Sequence, residues 1–264
     1  MQSQNQHDTN WPPPNEIFRL LIISFVLLLA IPMTLDQLNI INVASKWQMT
    51  IGESIIILPA MFYIYKKRIS PQRAFRLRPI SSYQIILSLA VAVPLTLLFE
   101  EINRITQLFI PMPEDLAHIY HELFTANSGS EWLFLIVNVI IMAGFFEEMV
   151  FRGLLQQTLE HNFDITRAIM TTAFIFALMH GNPFAVIQIV FLGIIIGVLA
   201  WRNDSVWPAV IIHVTLNFLS LIIVNTDADQ LAFLFWHGHL NPLFIFFSGL
   251  IVVLIIKEFY RTTE

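Results

Sequence analysis

Eight times along this chain a run of residues with almost no charge approaches the ~20 needed for a helix to cross a bilayer, and this recurrence limits the fold more than any other feature. The runs lie at about 17–35, 47–65, 83–99, 132–151, 166–179, 184–201, 206–224 and 240–256, the fifth being the shortest. In hydrocarbon the backbone must bond to itself, so such runs fold as helices. The composition agrees: 56% of residues are hydrophobic and 12% charged, about half the charged share of a water-facing globule. The expectation is an all-α polytopic membrane protein, a bundle of about eight transmembrane helices. It would form a single transmembrane domain over 17–264, preceded by a polar cytoplasmic tail at 1–16.

Charge placement orients the bundle. Lys66, Lys67, Arg68, Arg73, Arg76 and Arg78 crowd the loop after the second run, and a short loop so rich in Lys and Arg stays in the cytoplasm. With eight crossings both termini face inward, and of the 14 Lys and Arg only Lys46 and Arg104 fall outside. The tail has no basic start and no small-residue cleavage site after the apolar run, so a cleaved signal peptide is not expected. Short connections suit the plasma membrane of a bacterium. Between the third and fourth runs Leu116, Ile119, Tyr120, Leu123 and Phe124 share one helical face after Pro113-Glu114, which predicts a helix in the outer interface. Gly193 and Gly197 predict close helix packing. The absence of cysteine excludes disulfides, thiolate metal sites and cysteine nucleophiles, and a net charge of −5 gives no ground for binding nucleic acid.

Against this apolar background a few polar groups stand out. The fourth run ends in Gly144-Phe145-Phe146-Glu147-Glu148-Met149-Val150-Phe151-Arg152-Gly153. On a helix Glu148 and Arg152 are one turn apart and can pair, which leaves Glu147 about 100° around the axis and free for other work. Phe176 and His180 are four apart at the end of the fifth run, as are His213 and Asn217 in the seventh. A lone histidine on an apolar face is more often structural. Three separate spans offering a carboxylate pair, an imidazole, and an imidazole with a carboxamide are better explained by convergence on one wet cavity, because each alone in hydrocarbon would be expensive.

Such a set suits the attack of water on an amide. Apolar surroundings make a carboxylate a stronger base, an imidazole can help hold the water, and a second His with an Asn can donate hydrogen bonds to the developing oxyanion. No His-Glu-x-x-His motif and no glycine-rich phosphate loop is present.

Glu147-Glu148-x-x-x-Arg152, Phe176-x-x-x-His180 and His213-x-x-x-Asn217, in that order on successive membrane helices, resemble the CPBP family, which takes in the type II CAAX prenyl endopeptidases and bacteriocin-processing and self-immunity membrane proteins. The resemblance covers 132–224, about a third of the chain, as its catalytic core. It implies that Glu147 and His180 activate water, that His213 and Asn217 form an oxyanion hole, and that Glu148 and Arg152 support them. The expected activity is intramembrane endopeptidase action on a membrane-tethered, possibly lipid-modified, peptide or protein, with the site open to the cytoplasm. The family is described both as metallo- and as metal-independent glutamate proteases. No cofactor is the favoured reading, since His213 and Asn217 serve better as donors than as ligands; zinc is the alternative.

A non-catalytic immunity or scaffold protein of the same fold, and less readily a proton-coupled transporter, compete with this reading. Other polar residues read as ordinary: Glu53 as a group near the outer interface, His118, His121, His237 and His239 as solvated, and Asp164 with Arg167 as a helix cap.

Overall fold

The structure, a computed structural model, describes residues 11–42 and 45–262. Its helices are α1 Pro14–Gln37, α2 Trp47–Lys67, α3 Ser82–Phe109, α4 Glu114–Phe124, α5 Gly129–Asn162, α6 Ile165–Met179, α7 Val186–Asn203, α8 Trp207–Val224 and α9 Pro242–Thr262. Strands β1 (Phe235–Trp236) and β2 (His239–Leu240) make a small antiparallel hairpin before α9. The molecule is a polytopic all-α membrane protein.

Among the described residues seven helices, all but α4 and α6, are long and apolar enough to cross a membrane. The fifth expected span is α6, and its 15 residues rise only about 22 Å at 1.5 Å per residue, against a hydrocarbon core of about 30 Å. It stops at Gly181, whose φ of +60° turns the chain, and Pro183 discourages its continuation. The α6–α7 pair is therefore a hairpin of which the first arm, α6, is shorter than a full crossing. α4 begins after Pro113 as the interfacial pattern predicts, and no residue in it is buried.

Local signals set the helix ends. Ser81 and Gln84 form a reciprocal capping box at the start of α3, and Asp164 accepts from the Arg167 backbone N–H at the start of α6. The tail reading needs correction. Residues 1–10 lie outside the described residues, but Pro14 to Glu16 already open α1. Trp11 is packed as well: its Nε1 donates to Thr158 Oγ1 at 3.0 Å, and the Arg73 guanidinium lies 5.3 Å from its ring.

Polar contacts separate two ends of the bundle. At one end the buried Arg76 grips Glu160 with both terminal nitrogens (3.0 and 2.6 Å) and Asp204 through Nε (3.0 Å), while Arg78 also pairs with Asp204. Gln84 meets Asn203, and Arg202 reaches the Tyr260 carbonyl. At the other end Lys46 meets Glu131 (2.5 Å) and the Thr125 carbonyl, Asn225 meets the Phe124 carbonyl, and Glu101 holds His239 (2.8 Å) and the Leu240 N–H (2.7 Å). His239 is thus held by a buried carboxylate, beyond its expected solvation.

Small residues permit the closest approaches. A Cβ on Gly193 would sit 2.9 Å from the Ala173 Cβ, one on Gly197 2.9 Å from Gln156 Oε1, and one on Gly144 3.2 Å from the Val214 Cα. These glycines bring α7 against α6 and α5, and α8 against α5.

Candidate active site

Every group singled out in the second half of the sequence hangs from α5, α6 or α8, and the backbone of α5 is unusual there. It takes π-helical winding over Ile136–Glu147 and again over Met149–Leu155, with a single α-helical residue, Glu148, between. Such winding is rare and concentrates at functional sites. It ends in a block packed on all sides: Met149 to Leu155 are all buried.

Glu148 and Arg152 pair at 2.8 Å, and both side chains are fully buried. The same Glu148 oxygen accepts a second bond, 2.8 Å from His213 Nδ1. Arg152 lies 4.1 Å from the centroid of the Phe176 ring, so its charge is met by a carboxylate on one side and a π face on the other. These interactions tie α5, α6 and α8 together beneath the site and pair the two buried charges, while Arg152 Nε and Nη2 and Glu148 Oε2 stay buried without a hydrogen-bond partner.

Glu147 points elsewhere. Its Oε2 is buried, has no hydrogen-bond partner, and stands 3.7 Å from His180 Nε2. His180 is held from its other side, because Nδ1 lies 2.8 Å from the Phe176 carbonyl oxygen. A carbonyl only accepts, so Nδ1 carries the proton, and in the neutral ring Nε2 offers a lone pair. A separation of 3.7 Å is too long for a direct bond and suits one water held between the two acceptors. On α8, Asn217 donates one amide hydrogen to the Val139 carbonyl at 2.7 Å, which leaves its second hydrogen available.

Glu147, His180, His213 and Asn217 all line one cavity of about 580 Å³, with Phe151 and Phe176 in its wall. Glu148 and Arg152 lie behind that wall. The cavity also admits Glu53, which the sequence reading leaves at the outer interface. Its Oε2 is buried without a partner, and it lies within electrostatic range of Glu147. The signal was present in the sequence, since a lone carboxylate inside an apolar run is by default a functional group. Beside it, Thr50 donates to Asn138 Oδ1 at 2.6 Å and fixes α2 against the π-helical segment.

The zinc alternative can be set against the same side chains. Both histidines have their Nδ1 anchored, as metal ligands commonly do. Yet among the described residues no three His, Asp or Glu side chains come together closely enough to hold a metal ion.

The cavity lining extends away from the basic loops. It runs from Glu147 and His213 outward to Asn103, Phe124 and Val224, at the end marked by Lys46 and Glu131. Toward the basic end Leu154, Leu155 and Gln156 are completely buried and close it off.

Comparison with known proteins bears on the same stretch. No curated protein and no solved structure matches the chain. A family profile described as type II CAAX prenyl endopeptidase Rce1-like matches residues 129–219, from the first residue of α5 into α8, about a third of the chain. The stretch that furnishes both carboxylates, both histidines and the carboxamide is thus similar to an Rce1-like domain, which is consistent with the CPBP family of intramembrane peptidases.

Proposed function

We propose that the protein is an endopeptidase that hydrolyses a peptide bond of a membrane-associated substrate, lipid-modified or not, by direct attack of water. The observation that carries this reading is the 3.7 Å gap between Glu147 Oε2 and His180 Nε2, two acceptors that face each other across a cavity. A water there donates one hydrogen to each and turns its lone pairs toward an incoming carbonyl carbon. As its oxygen bonds to that carbon, Glu147 takes the proton. The carbonyl oxygen becomes an oxyanion and receives hydrogen bonds from the free Asn217 amide hydrogen and from the His213 ring. Glu148, bonded to His213 Nδ1, holds that ring in place. The intermediate collapses as the C–N bond breaks, and the leaving nitrogen takes the proton from Glu147.

Glu148 and Arg152 act in this scheme as positioning groups. No step uses a metal. The test is cleavage of a quenched, membrane-tethered peptide library by purified protein in nanodiscs, with and without chelator. Wild type cleaves and chelator has no effect; Glu147→Gln and His180→Ala do not cleave although they fold. Loss of activity with chelator transfers the site to the metallopeptidases. Full biological activity of Glu147→Gln would leave the immunity or scaffold reading in possession.

A further inference from the structure

The side on which the cavity opens bears on what can be cut. Arg76 and Arg78, the loop that carries them, and the cytoplasm-favouring residues Lys66, Lys67 and Arg68 all belong to one end, together with Arg202 and the C-terminal part of α9. The positive-inside rule assigns that end to the cytoplasm. The cavity is closed toward it by completely buried side chains and reaches the opposite end through Asn103, Phe124 and Val224. The α6–α7 turn, with His180 at its start, lies about 22 Å from the inner end of α6, in the outer half of the bilayer. Glu53 is only six residues from the start of α2, at the end where Lys46 meets Glu131. Among the described residues the cavity lining holds Glu53, Glu100 and Glu147 but no Lys or Arg. Apart from the imidazoles of His180 and His213, nothing in it would offset the free carboxylate of a C-terminal tail, whose burial beside acidic groups is costly.

We infer that the cavity is loaded from the external side of the membrane with an internal peptide segment displayed at the outer leaflet. The substrate is an exported peptide or an external stretch of a membrane protein, cut away from its C-terminal end. This rests on the peptidase reading for the cut itself, but the loading side does not.

The absence of cysteine makes the loading side directly measurable. Single-cysteine variants Ser220→Cys and Asn103→Cys probe the mouth, Thr96→Cys the deeper lining, and Gln72→Cys the basic loop. Spheroplasts are treated with a membrane-impermeant cationic methanethiosulfonate before or after permeabilisation, and the remaining thiols are counted by a polyethylene glycol-maleimide gel shift. Positions 220, 103 and 96 should react in intact spheroplasts and position 72 only after permeabilisation. The reverse pattern, or reaction at 96 from the inside alone, overturns the inference. A second arm uses a quenched peptide amide tethered by an N-terminal palmitoyl chain, added to right-side-out or inside-out vesicles. Cleavage should be at least tenfold faster in right-side-out vesicles, and Glu147→Gln should abolish it. Cleavage confined to inside-out vesicles sinks external loading and keeps the peptidase. External labelling with no cleavage in either orientation sinks the peptidase and keeps the loading side.

Discussion

Arg152 is the residue on which most of the site leans. It is fully buried, pairs with Glu148 at 2.8 Å, and covers the face of Phe176. Removing one partner of a buried pair strands the other charge and costs about 3–5 kcal/mol, so Arg152→Met should lower the melting temperature in detergent far more than any surface Arg substitution. Asn217→Ala should leave stability nearly unchanged but reduce kcat about 10²–10³-fold, the usual loss for one oxyanion donor; steady-state kinetics on the tethered peptide separates the two effects. The Glu148–Arg152 contact was legible because four-residue spacing on a helix dictates it. The bonds from His213 to Glu148 and from Asn217 to the Val139 carbonyl were not, since they join residues 65 and 78 positions apart. The place of Glu53 in the cavity was illegible for a similar reason: Glu147, within electrostatic range of it, lies on another helix.

Helix α7 has little room at its glycines. A side chain at Gly193 must displace Ala173, whose Cα would lie 3.0 Å from the new Cβ. Overpacking of this kind typically costs about 1–3 kcal/mol. Gly193→Val should therefore loosen the α6–α7 hairpin, seen as a lower melting temperature and faster proteolysis near Gly181. Gly249→Ala, with nothing within 4 Å of the new Cβ, should be neutral or slightly stabilising. Hydropathy placed the spans well because each is an uninterrupted apolar run with polar flanks. It had no access to the π-helical winding of α5, which leaves no mark on composition, or to the end of α5 at Asn162, well beyond the expected 151, because Gln156, Gln157 and Thr158 read as polar although all three are buried. Their side chains donate to backbone carbonyls, Gln156 to Gly197, Gln157 to Gly153 and Thr158 to Leu154, while Gln156 Oε1 stays buried without a partner.

At the scale of the whole molecule, one arginine holds several elements at the basic end. Arg76 joins its loop to the end of α5 through Glu160 and to the α7–α8 turn through Asp204. Arg76→Gln should expose that loop to protease and lower thermal stability, whereas Arg68→Gln, at an exposed position, should do neither. The sequence presented both arginines alike, as positive charge that sets orientation; burial distinguishes the clamp from the signal. The layer of Leu154, Leu155 and Gln156 has a consequence of another kind. A polar chamber that ended in a second mouth would be a conduit for protons and sodium. Here the lining stops short of the basic end, so the chamber should pass neither protons nor sodium.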